Sequence, residues 1–195
     1  MREIFEMQWR LNIRTLAGIG KDFEETIADP EQKLVWIENY RKALSAELAE
    51  LIREVADHGI ATRNGKIEII DILHFLVSLS QIVDVRPEET PRFVASENGV
   101  SFDACAIRAF LALDELQNSL KWKWWAKGGG FKPEKAKGAV LALWDSMALT
   151  CALFGLGFDE LKRIYVEKNR VNFQRQDQNY NEDTKTEADN LAIKL

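Results

Sequence analysis

The sequence contains few of the residues that mark several classes of protein. Among its 195 residues there are only 2 cysteines, 2 histidines and 4 prolines. Two cysteines are too few for a disulfide framework, and neither lies in a CxxC or Cys/His spacing typical of zinc sites. Cys105 and Cys151 are therefore predicted to be core thiols. With 46% hydrophobic and 29% charged residues, a chain so poor in proline is expected to be globular.

The charge and the hydrophobic runs bear on the partners of the chain. A net charge of −5 gives no general attraction to nucleic acid or to an anionic membrane. An anionic ligand would therefore need a local cluster of cations or a metal ion. The first residues, MREIFEMQWRLNIRTL, have no continuous apolar core of the signal-peptide type, and no run reaches transmembrane length without a polar interruption. We expect a cytoplasmic protein that binds neither membranes nor polymeric nucleic acid.

The hydrophobic periodicity is helical almost throughout, and no segment alternates as a strand would. It predicts an all-α fold, a helical bundle of about six main helices. We expect a single domain over residues 1–180 and a charged tail over residues 181–195. A helix, a glycine-bearing turn and an apolar helix occur twice, over residues 44–83 and 109–154. An ancient duplication of a helical hairpin would produce this pattern, and so would chance similarity.

Several helix boundaries are predicted from local signals. Asp29 and Pro30 open a long helix that ends near Gly59, and Ser101 caps a later one. TRNGK is predicted to be a tight turn between two helices. The predicted helices cover about residues 2–16, 30–58, 67–83, 102–127, 133–154 and 159–176.

Four carboxylates are placed so that they can converge. Glu47 and Glu50 share one face of their helix, and Glu68 and Asp71 share a face of the apolar segment IEIIDILHFLVSLS. An ionised carboxylate removed from water costs several kcal/mol unless it is paired or bound to a metal. Helices joined by a short turn lie antiparallel, so the two acidic faces can meet around a cation. Oxygen-only ligands favour Mg²⁺, or Mn²⁺, and two or more ions are expected. For Glu47 and Glu50 a solvated face paired with arginine is the alternative.

The last predicted helix carries a second polar face. Tyr165, Lys168, Asn169, Asn172 and Arg175 recur there at spacings of three, four and seven. Arginine can bind phosphate oxygens in a bidentate manner, and lysine supplies a point charge. This face is a candidate for holding phosphates opposite the metal. The alternative is a surface stripe with ordinary ion pairs.

Several motifs resemble those of one enzyme family. AELAE and IEIIDILHF resemble the ExxE and ExxD metal motifs of the all-α nucleoside triphosphate pyrophosphatases, the MazG-like superfamily. QWRLN resembles the QxxLN motif of its dimeric dUTPase branch. YVEKNRVNFQRQDQNY resembles YxxKNxxNxxRQxxGY, with Asn179 in place of the usual glycine. SLKWKWWAK is similar to the family's tryptophan and lysine motif, but it follows ExxD by about fifty residues instead of preceding it.

The resemblance implies an Mg²⁺-dependent homodimer that hydrolyses dUTP to dUMP and pyrophosphate. It implies that Glu47, Glu50, Glu68 and Asp71 are the metal-binding and catalytic residues, with Glu47 orienting or deprotonating the attacking water. The sequence contains no nucleophile elbow and no Walker motif. This agrees with metal-assisted hydrolysis, because phosphoryl chemistry depends on positioning and charge neutralisation and needs no protein nucleophile. The substrate-binding residues would be Gln8, Asn12, His74, Trp122, Lys123, Tyr165, Lys168, Asn169, Asn172, Arg175 and Tyr180.

Some assignments within this set have alternatives. Gln8 and Asn12 lie one helical turn apart, and their amides could read a pyrimidine edge or belong to a surface. His74 could contact the sugar or base, or be a satisfied core histidine. Trp122 and Lys123 could reach the nucleotide or pack on a neighbouring subunit. For the whole chain, the alternatives are a pyrophosphatase of dCTP or of several nucleotides, and a non-catalytic helical module that binds nucleotide.

Overall fold

The computed structural model describes residues 1–60, 62–95 and 99–177, and over these residues it is all-α. The predicted tail of residues 181–195 lies outside the described residues. Six long helices, a short α2 and a 3₁₀ turn at Pro87–Glu89 make up the described chain. The α-helices are α1 Arg2–Ala17, α2 Phe23–Ala28, α3 Pro30–His58, α4 Arg63–Ile82, α5 Phe102–Asn118, α6 Pro133–Leu153 and α7 Phe158–Asp177. The predicted fold class is confirmed.

Helix α3 begins and ends where the sequence predicts. The carboxylate of its N-cap, Asp29, accepts hydrogen bonds from the amides of Glu31 and Gln32 at 3.0 and 2.8 Å. Pro30 occupies the first turn, where its missing N–H removes no helical hydrogen bond. Gly59 ends the helix with φ at 83°, a backbone conformation that favours glycine. These local contacts fix a helix of 29 residues.

Two predicted boundaries are wrong. TRNGK is not a turn: the hydroxyl of Thr62 accepts from the amide of Gly65 at 2.9 Å, and α4 begins at Arg63. Helix α5 ends at Asn118, not at the glycines of residues 128–130. The residues after Asn118 form a loop, which is closed where the amide of Lys132 donates to the carbonyl of Ser119 at 2.9 Å. The short helix α2, capped by Asp22, was not predicted.

Two helical hairpins form the centre of the bundle. Helix α3 packs along α4 and α5 packs along α6, while α1 and α7 lie against α4. The stripe of Leu44, Leu48 and Leu51 on α3 is buried in the core. Between the hairpins, the indole of Trp144 donates to the hydroxyl of Ser80 at 2.8 Å. The two hairpins match the predicted repeat, and their common origin stays a prediction.

Both cysteines lie in the core. Cys105 and Cys151 are 0% exposed, and burial raises the pKa of each thiol. The prediction of core thiols is confirmed. Helix α6, which carries Cys151, is long and apolar enough to cross a membrane by length and composition, but half of that apolar window is buried inside the protein. Core helices have the same properties, so this is weak evidence for a membrane span.

Gly65→Ala is expected to destabilise the protein. The added methyl would lie 2.7 Å from Cε1 of Phe154 and 2.9 Å from the Thr62 hydroxyl that caps α4. Overpacking of this kind costs about 1–3 kcal/mol, more than the ~1 kcal/mol that alanine gains over glycine in a helix. Urea unfolding measures the difference. Gly130→Ala is the control, because its methyl meets nothing within 4 Å and should be close to neutral.

Candidate active site

Three carboxylates from α3 and α4 come together at one place. Ligand oxygens of Glu47, Glu50 and Glu68 lie within 4.8 Å of one another. Glu68 is only 6% exposed, and the other two are half-buried. The side-chain amide of Asn64 donates to both Glu54 and Glu68, at 3.1 and 3.2 Å, and so ties Glu68 to the end of α3. Like charges at this separation repel one another, so the cluster favours a bound cation.

The fourth predicted carboxylate has a different neighbour. Asp71, one turn along α4 from Glu68, has its Oδ2 atom 2.7 Å from Nζ of Lys168 on α7. Both side chains are largely buried, at 17% and 3% exposure respectively. The ion pair therefore links α4 to α7 and places a positive charge beside the acidic cluster. Asp71 lies next to the three-carboxylate group and is not part of it.

A cavity of about 230 Å³ lies beside these charges, between α1, α3, α4 and α7. Glu47 and Asp71 line one part of it, and Lys168 and Arg175 supply cations from α7. The remaining lining is a mixture of amides, hydroxyls and aromatic rings. These residues are Gln8, Leu11, Asn12, Thr15, Tyr40, His74, Phe75, Ser78, Asn172 and Gln176. A cavity with anionic and cationic sides can hold a phosphate chain together with a metal ion.

The amide of Gln8 is fully occupied by neighbouring side chains. Its Nε2 donates to Oδ1 of Asn12 at 2.8 Å and to the hydroxyl of Ser78 at 3.0 Å. Its Oε1 accepts from the hydroxyl of Tyr165 at 2.6 Å and lies 2.7 Å from Nδ1 of His74. An amide has two donor and two acceptor positions, and all four are used. Gln8 therefore has no remaining position with which to read a base.

His74 is a neutral histidine at the centre of this network. It is 4% exposed, and its ring stacks on Tyr165 with 4.3 Å between ring centroids. Burial, and then the positive charge of Lys168, lower the pKa of His74 to about 3. Its Nε2 atom is buried and has no hydrogen-bond partner among the described residues. Burial also raises the pKa of the Tyr40 and Tyr165 phenols, so both stay protonated.

The low pKa of His74 predicts a pH dependence of stability. The unfolded chain takes up a proton near pH 6.5, whereas the folded protein takes it up only near pH 3. Between these values the unfolded state binds more protons, so the free energy of unfolding falls as the pH drops, by about 1.4 kcal/mol per pH unit at most. Urea unfolding at about pH 7, 6 and 5 checks this. His74→Gln should show a shallower slope; equal slopes would contradict the assignment.

The other predicted residues occupy several different places. Asn169 is 4% exposed, and its Nδ2 has no hydrogen-bond partner among the described residues. Trp122 and Lys123 lie in the loop after α5, where the indole donates to Asn118 at 3.2 Å and the ammonium lies 5.0 Å from the Trp122 ring centroid. Neither residue lines the cavity among the described residues. Tyr180 lies outside the described residues, and its role stays a prediction.

Sequence reasoning missed three contributors to the site. Tyr40 lines the cavity, Asn64 bridges two acids, and Gln81 binds Asn12. A signal existed for two of them, because residues seven apart share a helix face. Tyr40 precedes Glu47 by seven residues, and Gln81 follows His74 by seven. Asn64 gave no such signal, since its segment was predicted to be a turn.

The layout defines the class of the protein. A helical bundle that gathers carboxylates beside a cavity with cations on its other side is the arrangement of an all-α nucleotide pyrophosphatase. The sequence profile of the dUTPase family matches residues 1–180, and the chain belongs to this family. It is a nucleoside triphosphate diphosphatase of the dUTPase family. The family generally uses Mg²⁺ and is generally oligomeric. Comparisons with curated proteins and with solved structures found no match.

Proposed function

We propose that dUTP is hydrolysed to dUMP and pyrophosphate in the cavity between α1, α3, α4 and α7, with Mg²⁺ held by Glu47, Glu50 and Glu68. The observation that carries this proposal is the approach of three carboxylates to within 4.8 Å, one of them buried. Mn²⁺ would suit the same oxygen ligands. Asp71 is proposed to bind a second metal ion. It would become available when Lys168 turns away from it towards the substrate.

The donor set fits the metal. Carboxylate oxygens are the ligands of Mg²⁺, and a buried glutamate close to two others is stabilised by a cation. When bound, the metal would neutralise phosphate oxygens and make a water molecule more acidic. Glu47, which both belongs to the cluster and lines the cavity, is placed to orient that water.

The cations of α7 are proposed to bind the phosphates. Lys168 and Arg175 line the cavity together with Asn172. Arginine can bind two phosphate oxygens at once, and the buried lysine ammonium supplies a charge that water screens poorly. Phosphates bound there compete with Asp71 for the ammonium of Lys168. Substrate would thereby release Asp71 towards the metal.

His74 and Asn12 are proposed to contact the base. Within the network, Nε2 of His74 makes no hydrogen bond. Nδ2 of Asn12 uses one of its two hydrogens on Gln81, so the second hydrogen is available for a ligand. One supplies an acceptor and the other a donor, which matches the N–H and carbonyl edge of uracil. Gln8 would act indirectly, by holding both residues in place.

The test is pyrophosphate release from each of the deoxynucleoside triphosphates, with and without Mg²⁺. Turnover of dUTP alone that requires the metal is the expected result. Turnover of dCTP or of several nucleotides would support the broader pyrophosphatase. Binding without turnover of any of them would make the chain a non-catalytic module and overturn the proposal.

We also propose that the chain is a cytoplasmic homodimer that pairs through the outer face of α5 and α6. Ile107, Phe110 and Leu111 project there at 56–64% exposure. Beside them a groove of about 630 Å³ carries two cations and two anions, namely Arg108, Lys135, Glu115 and Asp145. Lys135 and Glu115 are paired with each other at 2.7 Å, so Arg108 and Asp145 are the opposite charges that a twofold interface could bring together. Two helices of this length present about 500 Å² per subunit, close to the lower limit for a specific interface.

Leu111→Asp is expected to dissociate this homodimer, because a carboxylate would be buried at an apolar contact. The dissociation constant should rise at least about tenfold. Sedimentation equilibrium measures it. Val35→Asp on α3 is the matched control, since Val35 is 50% exposed on a different helix. A monomeric native protein would contradict the proposed homodimer. A dimer that is insensitive to Leu111→Asp would show that the interface lies elsewhere.

A further inference from the structure

We propose that Gln81, which is not among the residues lining the cavity, determines base selectivity by fixing which nitrogen of His74 carries the proton. Gln81 is thus a positioning residue that acts through a chain of side-chain amides. This inference rests on the proposed function for its effect on substrate choice. The chain of contacts it invokes runs from a backbone carbonyl at one end to the cavity at the other.

The orientation of the first amide is fixed by the backbone. Nε2 of Gln81 donates to the carbonyl oxygen of Phe5 at 2.7 Å. A carbonyl oxygen can only accept, so the NH₂ group of Gln81 must point towards it. The Oε1 atom of Gln81 then faces Asn12 and accepts from its Nδ2 at 3.0 Å. The Asn12 amide is consequently held with its oxygen towards Gln8.

Each following group takes its orientation from the one before. Oδ1 of Asn12 accepts from Nε2 of Gln8 at 2.8 Å, which turns Oε1 of Gln8 towards His74 at 2.7 Å. Because that oxygen can only accept, Nδ1 of His74 must be the protonated nitrogen. The low pKa of His74 keeps a second proton off the ring. Nε2 is therefore fixed as a lone-pair acceptor, and it is the atom without a partner among the described residues.

A fixed acceptor discriminates between pyrimidines. Uracil presents a ring N–H between two carbonyls, whereas cytosine presents a ring lone pair beside an amino group. The lone pair of Nε2 attracts the uracil N–H and repels the cytosine nitrogen. If the three side-chain amides all flipped so that nitrogen and oxygen exchanged places, Nε2 of His74 would carry the proton. The preference for uracil over cytosine would then reverse. The contact between Gln81 and Phe5 is what prevents that reversal.

The tautomer can be measured directly, because the chain has only 2 histidines. Nitrogen NMR of the imidazoles, in the ligand-free protein at neutral pH, should show His74 protonated at Nδ1, with the exposed His58 as internal reference. In Gln81→Leu both tautomers should be populated. Gln117→Leu, a half-buried glutamine on α5, is the matched control and should leave the tautomer unchanged. Wild-type protein protonated at Nε2 would overturn the inference, whether or not the variant folds.

Substrate choice supplies the second readout. The ratio of kcat/KM for dUTP to that for dCTP should fall about 10- to 100-fold in Gln81→Leu and stay unchanged in Gln117→Leu. A variant with an unaltered tautomer, or with an altered tautomer and an unaltered ratio, would overturn the role of Gln81. If the native protein hydrolysed no nucleotide, the proposed function would fail, while NMR and the relative affinities of dUTP and dCTP would still decide this inference.

Discussion

Glu68→Gln is expected to lower kcat for dUTP on the order of 10³-fold, or about 4 kcal/mol in transition-state stabilisation. Glutamine keeps the volume of the buried side chain but removes the charge from a cluster of three carboxylates. The metal-free variant should lose little stability in urea, because reduced repulsion among the carboxylates offsets the weaker hydrogen bond from Asn64. Activity is measured as pyrophosphate release over a range of Mg²⁺ concentrations. Far-UV circular dichroism confirms that the variant is folded.

Glu134→Gln is the matched control for that experiment. Glu134 is an exposed glutamate in the first turn of α6, away from the cavity, and its variant should retain native turnover. Unchanged turnover in Glu68→Gln would show that the cluster does not hold the catalytic metal.

Lys168→Met is expected to have the second-largest effect. The variant loses the ammonium that lies 2.7 Å from Asp71 and is proposed to bind phosphate. We expect kcat/KM to fall by about 10²-fold, because a preorganised charge is lost from a poorly hydrated site. The free energy of unfolding should fall by about 1–3 kcal/mol, less than for a fully buried pair, since Asp71 keeps some contact with solvent.

A second ion pair between the same helices provides the control. Lys66 on α4 lies 2.9 Å from Glu160 on α7, and both side chains are more exposed than Lys168. Lys66→Met should cost no more than about 1 kcal/mol and leave turnover intact. Adding Asp71→Asn to Lys168→Met should restore stability but not turnover. Restored turnover in that double variant would mean that Lys168 serves only to neutralise Asp71.

Helix beginnings could be predicted where a short-range contact decides them. Asp29 with Pro30 and Ser101 before Phe102 fix helix starts through hydrogen bonds within three residues. The acidic pairs were predictable too, since residues three apart on a helix share a face. Their convergence followed from the connection between α3 and α4, which any hairpin of two helices would impose.

Contacts between distant segments could not be predicted from the sequence. The pairing of Asp71 with Lys168 joins residues 97 positions apart and depends on how α7 crosses α4. Gln8 lines the cavity, but contacts with Asn12 on α1 and with side chains of α4 and α7 use its whole amide. The end of α5 at Asn118 was missed because the following tryptophans and lysines have helical propensity, while the contact that closes the loop involves Lys132.

Because Cys105 and Cys151 are buried, the reactivity of their thiols reports on unfolding of the protein. Neither sulfur is reachable while the bundle is closed, and each thiol resists ionisation. A small aromatic disulfide reagent would therefore modify only molecules that have opened transiently. The modification rate measures the frequency of opening, not thiol chemistry. Two equivalents reacting at one rate would mean that the whole bundle separates in a single event.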